Sequence, residues 1–540
     1  MLINTQRWER RAKLADTARL QKAVALTIAA GYQLDKEAFD FLNLLSAAED
    51  PAKIMQMAVQ KIIELDENPL FIGRNFLEQL LQKSELSNGA IAQPLEGEFQ
   101  AEKSPAVIQE AQTFRITEAK RSFHPYAKEI ESKLNIIEDP SGKLNTEGTI
   151  DDYLTYFQDR FKRIEKLLRQ RMDVKSASSV IDALKAQPSS RFKIIGMVTE
   201  KRESKGKTIL NIEDLQANIT VLIPQNASED LQKKAHRLLL DQVVCLSVVK
   251  TRSNLLIGED IILPDVPQRT PHKAAEPVYA VLTADMHVGS SKFQRDAFNR
   301  FVLWLNGKYG SEQTQEIASH VKYVVVAGDV VDGIGIYPNQ VKELAIKDVE
   351  KQYRLAARFM EQIPDYIEVI VTPGNHDTPR KALPQPAISN NLLKTLQESR
   401  QFHSLGSPSI ISLHGVEILV YHGRSLDDII STVPGMSMNH PENAMKLLLQ
   451  SRHLAPVYGG KTLLSAESRD HLVIERVPDI FHAGHIHALG YTNYRGVLVV
   501  NSGCWQDQTE YMRRNGFMPT PSKVPVVNLQ TLEVTIVPFN

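Results

Sequence analysis

Residues 367–377 read Ile367-Glu368-Val369-Ile370-Val371-Thr372-Pro373-Gly374-Asn375-His376-Asp377. A short apolar run stops at a polar turn, as a buried strand does where it leaves a sheet. Gly374 lets the backbone turn tightly, and three side chains able to bind metal or move protons follow it. The same texture recurs along the second half of the chain. Residues 278–283 lead to Asp285 and His287, residues 321–327 to Gly328 and Asp329, residues 416–421 to His422 and Gly423, and residues 480–482 to Gly484, His485 and His487. Helical stretches such as 297–305 lie between these runs. In open α/β sheets, loops at the carboxyl ends of separate strands converge on one crevice. An α/β domain is therefore expected over 276–540, with Asp285, His287, Asp329, Asn375, His422, His485 and His487 gathered at one edge.

Imidazole, carboxylate and amide ligands together favour ions such as manganese, iron or zinc over an all-oxygen magnesium or calcium cage. Two ions about 3.5–4 Å apart can clamp a phosphate ester and neutralise its entering and leaving oxygens. Phosphoester hydrolysis is the chemistry this set suits. A lone Asp-X-His or Gly-Asp is mostly a loop accident, but Gly374-Asn375-His376-Asp377 and Gly484-His485-Ile486-His487 are far more specific. His403, His414, His440, His453, His471 and His482 lack the strand-end context and read as surface or satisfied core histidines.

Beyond these motifs the composition sets bounds. A chain of 540 residues predicts two to four domains. Two widely separated cysteines, Cys245 and Cys504, give neither a disulfide framework nor a zinc spacing, so a reducing, cytoplasmic setting is expected. No stretch reaches the roughly 18 apolar residues of a membrane span, and no membrane partner is expected. A net charge of -1 argues against indiscriminate coating of nucleic acid. Of the 15 histidines, 13 fall between His272 and His487, which places the chemistry in the C-terminal half.

Residues 1–83 carry apolar positions at helical spacing, including Val24, Ile28, Phe39, Leu42 and Leu45, and predict a small all-helical domain with Asp35 as a helix cap. Residues 84–148, rich in Ser, Gly, Pro, Gln and Glu, predict a flexible linker. A helical connector follows over 149–188. Its opposite face bears Arg160, Lys162, Arg163, Lys166, Arg169 and Arg171, which could touch phosphates but reads first as solvated. Five short strands over 189–266, with a helix between the third and fourth, have the order of an oligonucleotide-binding (OB) barrel. Few aromatics punctuate those strands, so docking is at least as good a reading as strand binding.

The five strand-end motifs resemble the calcineurin-like metallophosphoesterase superfamily. That resemblance implies two divalent ions, manganese first with iron, zinc or nickel as alternatives. One would be held by Asp285, His287, Asp329 and His487, the other by Asp329, Asn375, His422 and His485. His376 would interact with the phosphate and protonate the leaving oxygen, with Asp377 orienting it. Further residues narrow the likeness. Thr283-Ala284-Asp285-Met286-His287-Val288-Gly289-Ser290, Gly328-Asp329-Val330-Val331-Asp332-Gly333, Leu383-Pro384-Gln385-Pro386-Ala387, Tyr494-Arg495-Gly496-Val497 and Asn501-Ser502-Gly503-Cys504-Trp505-Gln506 are similar to the small subunits of archaeal family D DNA polymerases.

The likeness implies a multidomain chain: a helical N-terminal domain, a linker, an OB-fold β-barrel and an α/β metallophosphoesterase sandwich. It also implies a 3′–5′ exonuclease used in proofreading. Its partners would be a large catalytic polymerase subunit and DNA, as single-stranded 3′ ends and primer-template, with a sliding clamp as a further candidate. Arg424, Arg380 and Lys381 lie on site loops and are candidates to hold neighbouring phosphates, against an equally good surface reading. Two rival functions stay open: a catalytically silent assembly subunit, which needs no His376, and a freestanding phosphatase or nucleotidase, which needs no N-terminal half.

Overall fold

The computed structural model describes residues 123–540 apart from Asn254, and a discontinuous set between Leu20 and Leu80. These fall into two compact units, Met1–Thr117 and Glu118–Asn540. In the first, helices Lys36–Leu45 and Pro51–Glu64 each turn one face inward, so that Ala38, Leu42, Ile54, Met55 and Ala58 form a core with Leu20, Ala23, Ile72 and Leu77. Strands β1 (Gln33–Leu34) and β2 (Phe71–Ile72) add a short parallel pairing that an all-helical reading did not include. The expected cap Asp35 and the expected linker before residue 123 lie outside the described residues.

From Phe123 onward the expected linker is part of the second unit. Strand β3 (Leu134–Glu138) pairs antiparallel with β13 (Ser409–Leu413), and Phe123 packs against the core. Five residues between polar flanks carry too little periodicity to announce a strand; a sheet edge far along the chain holds this one in place. Helix Ile150–Arg169 follows. Its capping residue Thr149 accepts the Asp152 N–H, and the Asp152 carboxylate accepts the Thr149 N–H in return. Phe161, Ile164 and Leu168 pack on barrel residues Ile195, Met197 and Val243. Arg160, expected on a solvated face, is fully buried.

Strands β4 (Arg191–Ser204), β5 (Lys207–Glu213), β6 (Asn218–Ile223), β7 (Val243–Lys250) and β8 (Leu255–Ile262) close a barrel in the order β4-β5-β6-β8-β7. Alternation along β5 and β6 sends Leu210, Ile212, Ile219, Val221 and Ile223 inward. Helix Glu229–Arg237, capped by Ser228, lies between β6 and β7.

Two six-stranded sheets form the rest. One runs β12 (Phe402–Ser404), β11 (Glu368–Thr372), β10 (Val321–Ala327), β9 (Tyr279–Thr283), β18 (Lys523–Asn528), β19 (Val534–Pro538). The other runs β16 (Gly490–Tyr494), β17 (Val497–Asn501), β15 (Ile480–Ala483), β14 (Val416–Val420), β13, β3. Burial on both faces explains the continuous apolar runs. On β10, Tyr323, Val325 and Ala327 meet Ile418, Val420 and Ile480 of the facing sheet. Val324 and Val326 point the other way, into helices Arg295–Leu305 and Val349–Met360. Helices Leu426–Thr432 and Pro441–Ser451 cover the outer face of the second sheet. The chain is thus a multidomain α/β protein with a closed five-stranded barrel. Among the described residues, no helix is long and apolar enough to cross a membrane.

Candidate metal centre

Strands β9, β10 and β11 run parallel in one sheet, as do β14 and β15 in the other. Their carboxyl ends meet at one edge of the sandwich. Asp285 and His287 follow β9, Asp329 follows β10, Asn375 to Asp377 follow β11, His422 follows β14, and His485 and His487 follow β15. The backbone is bent hard to deliver them. Asp285, His287, Asp329, His485 and His487 all have positive φ, between 51° and 71°. Non-glycine residues rarely adopt this region, and such strain clusters where surrounding structure holds functional groups in place. Gly374 sits so close to the Asp329 carboxylate that any Cβ there would overlap it, and a Cβ on Gly484 would lie 2.5 Å from Asp285 Oδ2.

The ligand candidates fall into two groups. Donor atoms of Asp285, His287 and His487 lie within 4.8 Å of one another, and so do those of Asp329, His422 and His485. His287 Nε2 is 3.0 Å from His487 Nε2, 3.6 Å from Asp329 Oδ2 and 3.8 Å from Asp285 Oδ1. His422 Nε2 is 3.4 Å from Asp329 Oδ2 and 3.1 Å from Asn375 Oδ1, which brings the seventh candidate into the second group. Asp329 therefore stands between the two. The far ring nitrogens are fixed: His287 Nδ1–H donates to Asp332 Oδ1 at 3.0 Å and His422 Nδ1–H to the Ala327 carbonyl at 2.8 Å. That aims both Nε2 lone pairs at the centre, as metal-binding imidazoles require.

Two observations test whether ions suit these residues. Asp285 Oδ1 is buried with no hydrogen-bond partner, although His487 Nε2 lies 3.3 Å away. The carboxylates of Asp285, Asp329 and Asp332 are all essentially inaccessible to water. Three buried anions need positive charge beside them. Burial disfavours protonation of His287, yet the Asp285, Asp332 and Asp329 carboxylates outweigh it and hold its pKa up at about 10. Burial likewise opposes charge on His422, and Asp329 with Asp285 carries it to about 9. For Asp329, the His422 and His376 imidazoles overcome burial and hold the carboxyl well below its usual range. The centre draws in positive charge, and divalent cations would take the place of these protons. The donor set fits them.

Other candidates fall differently. His376 lies beside the centre, with ring Nε2 3.9 Å from Asp329 Oδ2 and its backbone N–H donating to Asp329 Oδ1 at 2.8 Å. Asp377 does not orient it. The Asp377 carboxylate accepts from Gly374 N at 2.8 Å, Tyr353 Oη at 2.8 Å and the Val330 and Val331 amides, so it braces two ligand loops against each other. His376 Nδ1–H instead donates to the Asp332 carbonyl at 2.7 Å. Arg380 also departs from expectation, since its guanidinium is committed to the Pro384 carbonyl and to Glu467. Lys381 and Arg424 do line the cleft, where Arg424 pairs with Asp427 at 2.5 Å. Lys381 Nζ reaches the Asn375 and Asp377 carbonyls.

Sequence reasoning passed over three residues. Asp332 orients His287, Asp427 lies 3.3 Å from His485 Nε2, and Lys461 lines the cleft beside Arg424. The first was visible as the second acid of Gly328-Asp329-Val330-Val331-Asp332-Gly333. Cavities of about 500 and 480 Å³ open from the centre and share Ile336, Asn375, His376, Arg424 and Lys461 as walls.

Residues 280–489 match the family of DNA polymerase alpha/epsilon B subunits. The DNA polymerase II small subunit of Methanothermobacter thermautotrophicus is 41% identical over 73% of this chain and 80% of its own length. That of Archaeoglobus fulgidus is 39% identical over 73% of this chain and 78% of its own. The Halobacterium salinarum protein of the same name is 34% identical over 94% of this chain and 97% of its own, which carries the likeness through the N-terminal unit. The chain belongs to the family of archaeal DNA polymerase II small subunits.

Proposed function

We propose that the cleft hydrolyses the terminal phosphodiester of a DNA strand from its 3′ end, as the proofreading nuclease of a polymerase whose large catalytic subunit is a separate chain. The observation that carries this reading is the complete donor set, two His/Asp groups with Asp329 of one reaching His287 of the other, and an Asp285 Oδ1 without a hydrogen-bond partner. A pure scaffold has no use for strained loops that aim seven donors at one place.

Asp285, His287, Asp329 and His487 would hold one divalent ion and Asp329, Asn375, His422 and His485 the other, with manganese as the first expectation. Such ions supply charge neutralisation for the entering and leaving oxygens and a more acidic water. The protein's own groups do the rest. His376, with Nδ1–H held by the Asp332 carbonyl, has Nε2 free to pass a proton to the departing 3′ oxygen. Burial pulls the His376 pKa down to about 4, so the ring is neutral in the metal-free chain and must first take a proton from water at Nε2, which the negative charge of a bound phosphate would favour, before it can pass one to the leaving oxygen. Asp377 keeps the β10 and β11 loops in register, and Arg424, Lys381 and Lys461 present positive charge along the cleft.

Purified full-length chain with manganese and single-stranded DNA labelled at its 5′ end tests the reading, beside His376→Ala. A ladder shortening from the 3′ side, weakened in the variant, is expected. No cleavage by the chain or by its complex with a large polymerase subunit would overturn it, and hydrolysis of free nucleotides alone would favour a phosphatase. Co-purification with that large subunit tests the partnership independently.

A further inference from the structure

One of the two cavities is lined by Tyr337 and Tyr511 together with Arg424 and Lys461, and the adjoining one by Arg424, Lys461 and Lys381. Tyr511, on the short helix Glu510–Arg514, is 54% exposed and presents its ring to the cavity. Its ring centroid is 5.7 Å from that of Tyr337, tilted by 38°, and the Tyr337 ring is in turn 6.2 Å from the His376 ring. The two tyrosines thus step outward from the reacting position.

They are also fixed relative to each other. Tyr337 Oη donates to Glu343 Oε2 at 3.1 Å, and the other oxygen of the same carboxylate accepts the Glu510 N–H at 3.0 Å. One acid therefore ties the loop carrying Tyr337 to the helix carrying Tyr511. A locked pair of rings beside a phosphate-handling site, in a cavity that Arg424 and Lys461 also line, has the two components that single-stranded nucleic acid needs. Cations follow the backbone, and π-faces take the bases without regard to sequence.

We infer that Tyr337 and Tyr511 form a stacking platform for the base of the strand's 3′-terminal nucleotide, which positions the last phosphodiester at the metal centre. The inference rests on the nuclease reading above and adds the group that recognises an unpaired end. A base held on these rings must leave its partner strand, so the platform favours frayed or mispaired termini over a paired one.

The test uses full-length protein and two 5′-labelled single strands, identical except that one ends in an ordinary 3′ nucleotide and the other in an abasic one. Stacking on an aromatic ring is worth roughly a 10-fold change per base. The wild-type chain is expected to shorten the base-bearing strand about 10-fold more efficiently, with the difference in KM. Tyr511→Ala brings the ratio near one, and Tyr511→Phe keeps it. A second readout needs no hydrolysis: 2-aminopurine at the 3′ terminus, behind a phosphorothioate linkage, loses fluorescence when it stacks on the wild-type chain and not on Tyr511→Ala. Equal rates on the two ends, or a ratio that survives Tyr511→Ala, overturns the platform. If neither strand is shortened, quenching lost in Tyr511→Ala supports the platform and overturns only the nuclease reading. Absence of quenching by the wild-type chain overturns the platform itself.

Discussion

Two buried constellations in the second unit use the same residue types, and only one of them raises histidine pKa values. At the strand ends, His287 and His422 are pushed above their ordinary pKa among the carboxylates of Asp285, Asp329 and Asp332. Where helix Ile150–Arg169 meets the loop around residue 470, burial and the Arg160 guanidinium push His453 down to about 4. The second cluster is closed. Arg160 Nε donates to Asp470 Oδ2 at 2.8 Å, Nη1 to the Pro456 carbonyl at 2.7 Å and Nη2 to Tyr156 Oη at 3.0 Å. His453 Nδ1 accepts the Ala455 N–H at 3.0 Å, which makes the ring neutral, and its Nε2 lies 2.8 Å from Asp470 Oδ2. One carboxylate faces one permanent cation. At the strand ends three carboxylates face imidazoles and amides, and an oxygen is left without a partner. Buried charge alone does not mark a site; an excess of one sign, with donors aimed inward and unsatisfied, does.

That contrast predicts that substitutions in the two clusters separate activity from stability. Asp329→Asn is expected to lower strand shortening by on the order of 10³-fold, because charge stabilisation by bound ions is worth several kcal/mol. Its unfolding midpoint without metal should fall only modestly, since the His287 and His422 rings can give up their extra protons when the Asp329 charge is gone. Arg160→Met does the reverse. It strands the Asp470 carboxylate, the Pro456 carbonyl and Tyr156, and should cost about 3–5 kcal/mol in denaturant unfolding. A stability loss below about 1 kcal/mol in Arg160→Met, or a stability loss in Asp329→Asn as large as the expected one, would erase the distinction.

The sequence exposed the loops of the strand-end cluster because apolar runs on strands buried on both faces stop abruptly. The runs at 321–327 and 367–372 do end as β10 and β11 at the turns carrying Asp329 and Asn375. Nothing in the residue types announced that two aspartates and three histidines flanking the strand ends would sit at positive φ, a region usually assigned to glycine. Arg160 was hidden for a different reason. Helical periodicity ranks positions by polarity and so puts arginine outside, while the acid that draws it in lies far along the chain at Asp470. Strand β3 was missed on the same ground, since its pairing partner is non-local.

A smaller effect sharpens the account of the strand-end cluster. Asp332 is expected to hold the ring of His287 and raise its basicity without itself being a ligand in either group. Asp332→Asn keeps the shape and removes the charge. Manganese binding measured by titration calorimetry should weaken roughly 10- to 100-fold, the usual cost of losing a carboxylate behind a metal-binding imidazole. Asp470→Asn, the equivalent change in the closed cluster, should leave manganese affinity unaltered. If both variants bind as the wild type does, Asp332 is only a packing residue.

The smallest effect is the pH dependence of stability, whose alkaline limb comes from the raised histidines of the strand-end cluster. His453 has a folded pKa below its unfolded value of about 6.5. The unfolded chain then binds more protons, and this histidine's contribution is lost as pH falls from about 6.5 towards about 4. His287 and His422 have folded values near 10 and 9. Their contribution is complete below about pH 6.5 and is lost as pH climbs through that higher range. Bound divalent ions need those imidazoles unprotonated, so loading the centre abolishes the alkaline loss and leaves the acid loss from His453 in place. Thermal midpoints measured from pH 5 to pH 10 with chelator and with manganese should therefore coincide in shape on the acid limb and diverge by a few degrees on the alkaline limb. Parallel curves throughout would mean that the two histidines carry no extra protons in the metal-free chain, and the charge excess that separates the two clusters would be disproved.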